Sequence, residues 1–164
     1  MKIENIIIHC SDSPWGCARE IRKWHTDPVP NGRGWSDIGY HFVILNGRVL
    51  PDLYLTSLDG SIEAGRRLDS DMDIEPDEMG IHALGYNAKS IGVCLIGERK
   101  NGEATFTTEQ MFSLRSLCME LCHHFKVPAN NVLGHGETDD GKKQGKTCPD
   151  FDVSAIRTYL SGRV

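Results

Sequence analysis

Long apolar runs are missing from this sequence of 164 residues, and so is a secretory signal. A membrane-spanning helix takes about 20 apolar residues, and no stretch reaches that length. The opening MKIENIIIH has a short apolar stretch with no small-residue cleavage site behind it, which is not the pattern of a signal peptide. We therefore expect a protein without a membrane anchor that is made in the cytoplasm and stays there unless another factor releases it.

Concentrated positive charge is missing as well. The formal net charge is -5, and the densest basic group consists only of Lys142, Lys143 and Lys146. A nucleic-acid-binding face needs many clustered cations to neutralise phosphates. The charge pattern therefore argues against a nucleic-acid partner, although this small group could meet a small anionic ligand.

The six cysteines do not form any Cys-x-x-Cys pair, and the chain has no internal repeat or low-complexity tract. A cytoplasmic protein of this length does not need disulfides, because one hydrophobic core can stabilise it. We interpret Cys10, Cys94, Cys118 and Cys122 as core thiols. A single domain over residues 1–164 is expected.

Segments typical of strands and helices alternate along the chain. Residues 2–8 and 90–98 are continuous apolar runs of the kind found in buried strands. The pairs Asn46-Gly47 and Asp59-Gly60 predict two hairpin turns. Residues 107–125 predict the longest helix, which opens with a capping-box sequence. This alternation predicts an α/β fold with a central mixed β-sheet flanked by helices.

Two of the strand-like segments end in a histidine. His9 follows the isoleucine run, His135 follows "NVLG", and Cys148 lies 13 residues further along in a polar loop. Two imidazoles and one thiolate are typical of a catalytic zinc site, which keeps a fourth position open. Spacing alone favours the alternative, in which a histidine at a strand end is a hydrogen-bonded structural residue.

Eight sequence blocks, taken in chain order, favour the zinc site over the structural alternative: IIIHCSDS, REIRKWH, GWSDIGYHFVI, IEAGR, HALGYNAKSIGVCLIG, FTTEQMFSLRSL, LGHGE and KTCPDFD. Together they make the sequence resemble the zinc-dependent N-acetylmuramoyl-L-alanine amidases, and among these the small bacteriophage endolysins. That group shares a fold with the animal peptidoglycan recognition proteins. The resemblance implies hydrolysis of the amide bond between N-acetylmuramic acid and L-alanine in peptidoglycan. It also implies one catalytic domain without a separate cell-wall-binding module.

The resemblance assigns roles to individual residues. His9, His135 and Cys148 match the family's zinc ligands. Tyr40 matches a tyrosine that assists at the water or the oxyanion, and Lys146 matches a catalytic basic residue. A fixed cation or hydroxyl aimed at the developing negative charge would stabilise it. Two further residues lie where the family lines its substrate cleft, and we expect substrate contacts from them: His82 and Asn87.

The sequence departs from the family pattern in two insertions, Val49–Asp59 and Asp69–Met79, which we expect at the rim of the cleft. Two alternatives stay open. The chain could be a peptidoglycan-binding protein without activity, since recognition relatives keep the cleft and many lose the cysteine ligand. It could also be an amidase that regulates a phage RNA polymerase.

The resemblance also implies where the protein acts and with what. We expect a monomer that binds peptidoglycan and is made in the host cytoplasm. It would reach the cell wall after release through a separate membrane-disrupting protein.

Overall fold

A five-stranded sheet is the centre of this computed structural model, which describes residues 1–100 and 103–162. In chain order the strands are β1 (Asn5–Cys10), β2 (Phe42–Leu50), β3 (Leu53–Ala64), β4 (Ser90–Leu95), β5 (Arg99–Lys100), β6 (Glu103–Ala104) and β7 (Val132–Gly134). Strands β5 and β6 form a separate two-stranded sheet. In space the large sheet runs β3-β2-β4-β1-β7. Strand β1 is parallel to β4 and β7, β2 is parallel to β4, and β2 is antiparallel to β3.

Helices cover both faces of this sheet. They are α1 (Ala18–Thr26), α2 (Thr108–Phe125), α3 (Asp139–Lys143) and α4 (Ser154–Ser161). Helices α2 and α4 pack against one face, where Ile8 and Val93 are fully buried, and α1 packs against the other, where Val43 and Cys94 are fully buried. Alternate side chains of β2 and β4 thus enter two apolar layers. The predicted α/β class with a central mixed sheet is confirmed.

Helix α2 begins where the sequence predicts. The Thr107 side chain accepts a hydrogen bond from the Gln110 backbone N–H at 3.0 Å, and the Gln110 side chain accepts one from the Thr107 N–H at 3.1 Å. The Gln110 amide is fully buried and donates to the carbonyl oxygens of Ile44 and Ile96. This capping box therefore fixes the helix end and ties it to the sheet.

The two predicted hairpin turns are wrong. Asn46-Gly47 lies inside β2 and Asp59-Gly60 lies inside β3, where Asn46 pairs with Asp59. The pairing of β2 with β3 shifts register at several points, and both glycines have positive φ, 79° and 77°. Glycine at positive φ also specifies a β-bulge, which the sequence pattern alone does not distinguish from a turn. The chain reverses direction at residues 51–52, so the insertion Val49–Asp59 extends one long hairpin.

Of the helices that the structure describes, none combines the length and the apolar character that a membrane-spanning segment requires.

Candidate metal centre and cavity

The sheet places His9 and His135 side by side. Strands β1 and β7 pair in parallel, with Ile8 opposite Gly134, so the next residue of each strand emerges at the same edge of the sheet. The ring centroids of the two histidines are 4.7 Å apart. His9 is buried and His135 is half-buried. The parallel pairing of two apolar strands thus brings together residues that are far apart in sequence.

A returning loop brings Cys148 to the same edge. The Gly136 N–H donates to the Cys148 carbonyl oxygen at 2.8 Å, and a Cβ at position 136 would overlap the Lys146 carbonyl. The Glu137 carboxylate makes two 2.9 Å contacts with the guanidinium of Arg157 on α4. Position 136 therefore accommodates only glycine, and the ion pair holds the start of the loop against the last helix.

The donor atoms of His9, His135 and Cys148 all lie within 4.8 Å of one another. Nδ1 of His9 is 4.0 Å from Sγ of Cys148. The Cys10 backbone N–H donates a hydrogen bond to that sulfur at 3.3 Å. Two imidazole nitrogens and one sulfur are a donor set that suits zinc, so the residues present fit this metal.

The histidines of the centre are neutral. Burial lowers the pKa of His9 well below its usual range, and the neighbouring His82 and His135 add to the effect. Burial also lowers the pKa of His135, as does the Lys146 ammonium. A metal competes with protons for the same imidazole lone pair, and the neutral ring is the form that binds it. The surroundings therefore keep the lone pairs available.

The candidate metal centre opens into a cavity of about 520 Å³. Tyr40, His82 and Lys146 line it together with the three metal-binding candidates. The ring of Tyr40 lies 5.0 Å from that of His9, centroid to centroid. Burial raises the pKa of Tyr40 well above its usual value, with Cys94 contributing, so its hydroxyl stays protonated and can donate a hydrogen bond. The cavity therefore places two cations, Lys146 and Arg33, and the neutral hydroxyl of Tyr40 beside the donor set.

The two residues predicted to contact substrate lie in different environments. His82 faces the cavity, and its Nδ1 is 3.1 Å from Nε2 of His9. The Asn87 side-chain oxygen accepts hydrogen bonds from the backbone N–H groups of His82 and Ala83, at 2.9 and 2.8 Å. Asn87 is not among the described residues that line the cavity, and its contact with substrate stays a prediction. The insertions Val49–Asp59 and Asp69–Met79 contribute no lining residue among those described.

Cys10, interpreted from the sequence as a core thiol, is buried but also contacts the centre in a way that the sequence pattern did not indicate. Strand alternation predicts that it points away from His9, into the core. It does lie on the opposite face, but the returning loop wraps over the end of β1 and brings Cys148 Sγ to 3.8 Å from the Cys10 sulfur. The hydrogen bond to Cys148 raises the pKa of the Cys10 thiol, and burial raises it further, so Cys10 stays protonated. Alternation within a strand gives no signal for a loop that returns from 138 residues away.

Comparisons with known proteins agree with this geometry. A model of the N-acetylmuramoyl-L-alanine amidase family matches residues 1–151. The endolysin of Klebsiella phage KP32 is 37% identical over 154 residues, covering 90% of this chain and 81% of the relative. The endolysin of Escherichia phage T7 is 38% identical over 156 residues, again covering 90% and 81%. The solved N-acetylmuramoyl-L-alanine amidase LysC from Clostridium intestinale URNW has the same fold, with a TM-score of 0.71 at 24% identity over 98% of this chain and 87% of that one.

Proposed function

The chain belongs to the N-acetylmuramoyl-L-alanine amidase family, and on that premise we propose how its cavity works. The protein hydrolyses the amide bond between N-acetylmuramic acid and L-alanine in peptidoglycan, and it acts as an endolysin in phage lysis. The metal is zinc, held by His9, His135 and Cys148. The observation that supports this best is the convergence of three donor atoms within 4.8 Å at the floor of an open cavity.

Zinc bound there would supply Lewis acidity, polarising a carbonyl oxygen and lowering the pKa of water at the site. The protein supplies the surroundings. His9 and His135 offer neutral nitrogens from the sheet edge, and the Cys10 N–H donates a hydrogen bond to the sulfur of Cys148. The centre thus needs no rearrangement of the sheet to accept the metal.

Lys146 and Tyr40 are proposed as the catalytic residues. Attack on an amide carbonyl builds negative charge on its oxygen, and a donor already in place stabilises that charge without reorganisation. The Lys146 ammonium is close enough to His135 to lower its pKa, and the Tyr40 hydroxyl stays protonated. Both side chains line the cavity beside the metal-binding candidates. We therefore assign oxyanion stabilisation to Lys146 and hydrogen bonding to the carbonyl or the attacking water to Tyr40.

Mass analysis of fragments released from purified sacculi tests the reaction. An amidase releases intact stem peptides that begin with a free L-alanine amino group and leaves the glycan chains whole. New reducing sugar ends would indicate a glycosidase, and cleavage within the peptide would indicate an endopeptidase. Either result would contradict the proposed bond.

A peptidoglycan-binding role without catalysis is the competing hypothesis. The presence of Cys148 in the donor set, with Lys146 and Tyr40 on the cavity wall, favours the enzyme. Zinc content and turnover of a muramoyl-peptide distinguish the two, because a binder would show affinity without product.

We also propose that the protein is made in the host cytoplasm and meets peptidoglycan after another protein has opened the membrane. A monomeric state and an interaction with a phage RNA polymerase stay predictions. Size-exclusion chromatography with light scattering tests the first, and a pull-down with the polymerase tests the second.

A further inference from the structure

The segment from His82 to Ser90 forms a small hydrogen-bonded unit directly behind the metal centre. The Asn87 side chain accepts from the N–H groups of His82 and Ala83 and fixes the backbone that carries the His82 ring. The Ala83 carbonyl accepts from the N–H groups of Tyr86 and Asn87, closing the same loop. The backbone that carries the His82 ring is therefore held by its own segment.

Two glycines hold the His82 ring from the sides. A Cβ at Gly80 would lie 2.5 Å from the ring carbon Cδ2 of His82, and a Cβ at Gly92 would lie 2.8 Å from the same ring. Gly92 belongs to β4, the strand beside β1, so the sheet itself forms one wall of this slot. Any other residue at either position would push the ring out of place, which means that the slot is shaped for it.

A directed chain of hydrogen bonds passes through that ring. Nε2 of His9 lies 3.1 Å from Nδ1 of His82, Nε2 of His82 lies 3.5 Å from the Ser90 hydroxyl, and the hydroxyl donates to the Tyr86 carbonyl at 2.8 Å. Because the Tyr86 carbonyl can only accept, the Ser90 oxygen is left to accept from His82 Nε2–H. His82 Nδ1 then carries a lone pair and accepts from His9 Nε2–H. This order leaves the lone pair of His9 on Nδ1, the nitrogen that faces Cys148 at 4.0 Å.

We propose that His82 is a positioning residue for the metal centre, which fixes the tautomer and the ring orientation of His9 through this chain. The inference rests on the proposed role of His9 as a zinc ligand. It gives His82 and Asn87 a function different from the substrate contacts that the sequence predicts for them. Partners of this kind orient metal-binding histidines in proteins generally, and their loss typically weakens metal affinity by about 10- to 100-fold.

The test compares two variants of the full-length protein, His82→Leu and His82→Asn. Leucine fills the slot without an acceptor, whereas asparagine keeps an oxygen close to the position of Nδ1. We expect zinc affinity, measured by competition with a chelating dye, to fall about 10- to 100-fold in His82→Leu and to recover in part in His82→Asn. The KM for a muramoyl-peptide at saturating zinc should stay close to the parent value in both.

Unchanged zinc affinity with a raised KM in His82→Leu would overturn the inference and favour a substrate contact. A parent protein that binds no zinc would instead refute the proposed function, so the two failures can be told apart. If His82→Leu does not fold, ¹⁵N NMR of the zinc-loaded parent decides the question. A protonated Nε2 on His9 supports the inference, and a protonated Nδ1 with zinc on Nε2 overturns it.

Discussion

His9 and His135 stand at the ends of strands, whereas Cys148 and Lys146 reach the same cavity from a loop. Strand β1 is hydrogen-bonded on both sides, to β4 and to β7, and His9 is 1% exposed. The loop is held by a few backbone hydrogen bonds and by the ion pair of Glu137 with Arg157, and Lys146 is exposed. We refer to these as the strand half and the loop half of the centre.

The difference indicates which half depends on the metal. In the strand half His9 is buried in the folded protein and His135 follows directly from β7, so packing of the sheet orients both side chains. The loop half has little apolar contact of its own, and segments of that kind open locally at low cost. Zinc should therefore order the loop half, while the strand half stays in place without it.

Replacing the loop ligand should have the largest effect. We expect Cys148→Ser to lose most of its zinc and to lower lysis by more than about 100-fold, because the variant removes a direct ligand rather than a supporting partner. The fold should persist, since Cys148 lies outside the two apolar layers. Zinc analysis, turbidity clearing of cell walls and circular dichroism check the three statements.

The half-buried thiol of Cys122 on α2 provides the control for that variant. Cys122→Ser should keep both zinc and activity. If Cys148→Ser clears cell walls at the parent rate, Cys148 is not a ligand in catalysis.

Removing the loop cation should lower the rate and leave the metal bound. We expect Lys146→Ala to reduce kcat by about 100-fold, the typical cost of losing one group that stabilises an oxyanion. Lys143→Ala is the matched control, because Lys143 is exposed on α3 in the same loop region but does not line the described cavity. Equal kcat values for the two variants would show that Lys146 is a surface charge without a catalytic role.

Acid should destabilise the fold through a buried histidine that lies directly before β2, outside both halves of the centre. His41 is buried, its Nδ1 accepts from the Gly92 N–H and its Nε2 lies 2.9 Å from the Glu78 carbonyl. Burial lowers its pKa to about 4. The unfolded chain, with a histidine pKa of about 6.5, therefore binds protons first as the pH falls. The contribution of His41 to the free energy of unfolding is complete above the pKa of the unfolded state and is lost as the pH falls towards the pKa of the folded state. The loss is about 2 kcal/mol between about pH 7 and 5.

Urea unfolding of the parent and of His41→Gln across this pH range measures that contribution. The free energy of unfolding should fall less steeply with acid in His41→Gln than in the parent. His123→Gln, which changes an exposed histidine on α2, should follow the parent. Parallel curves for the parent and His41→Gln would show that His41 does not carry the effect.

Weakening the anchor of the loop half should have the smallest effect. Glu137→Gln removes the charge that pairs with Arg157 but keeps an acceptor for the Gly134 N–H. We therefore expect the free energy of unfolding to fall by roughly 1 kcal/mol. Zinc affinity should fall a few-fold with it. Glu4→Gln, which breaks an exposed pair with Lys89, is the control and should be close to neutral. A larger effect in Glu4→Gln than in Glu137→Gln would contradict the assigned anchor.

The location of the strand half follows from the sequence pattern for a physical reason. Buried parallel strands end at a common edge, so an apolar run followed by histidine places that histidine at the edge of the sheet, although the pattern alone does not identify it as a metal ligand. The loop obeys no such periodicity. Its contact between Cys148 and Cys10 depends on a return path that only the folded chain defines.

Two local signals were ambiguous in sequence. The pairs Asn46-Gly47 and Asp59-Gly60 indicated a positive φ, which both glycines adopt. Cross-strand pairing nevertheless places them inside strands, where the register shifts, and not at turns. His82 faces the cavity as a substrate contact would, and its bond to His9 becomes visible only when residues 73 positions apart meet. In both cases the missing information was tertiary.

X-ray absorption at the zinc edge of the purified protein tests the central claim most directly. If both halves hold one metal, the spectrum should show one sulfur at about 2.3 Å and two imidazole nitrogens at about 2.0–2.1 Å. A zinc environment without sulfur, or a protein active on cell walls with no zinc bound, would contradict the account.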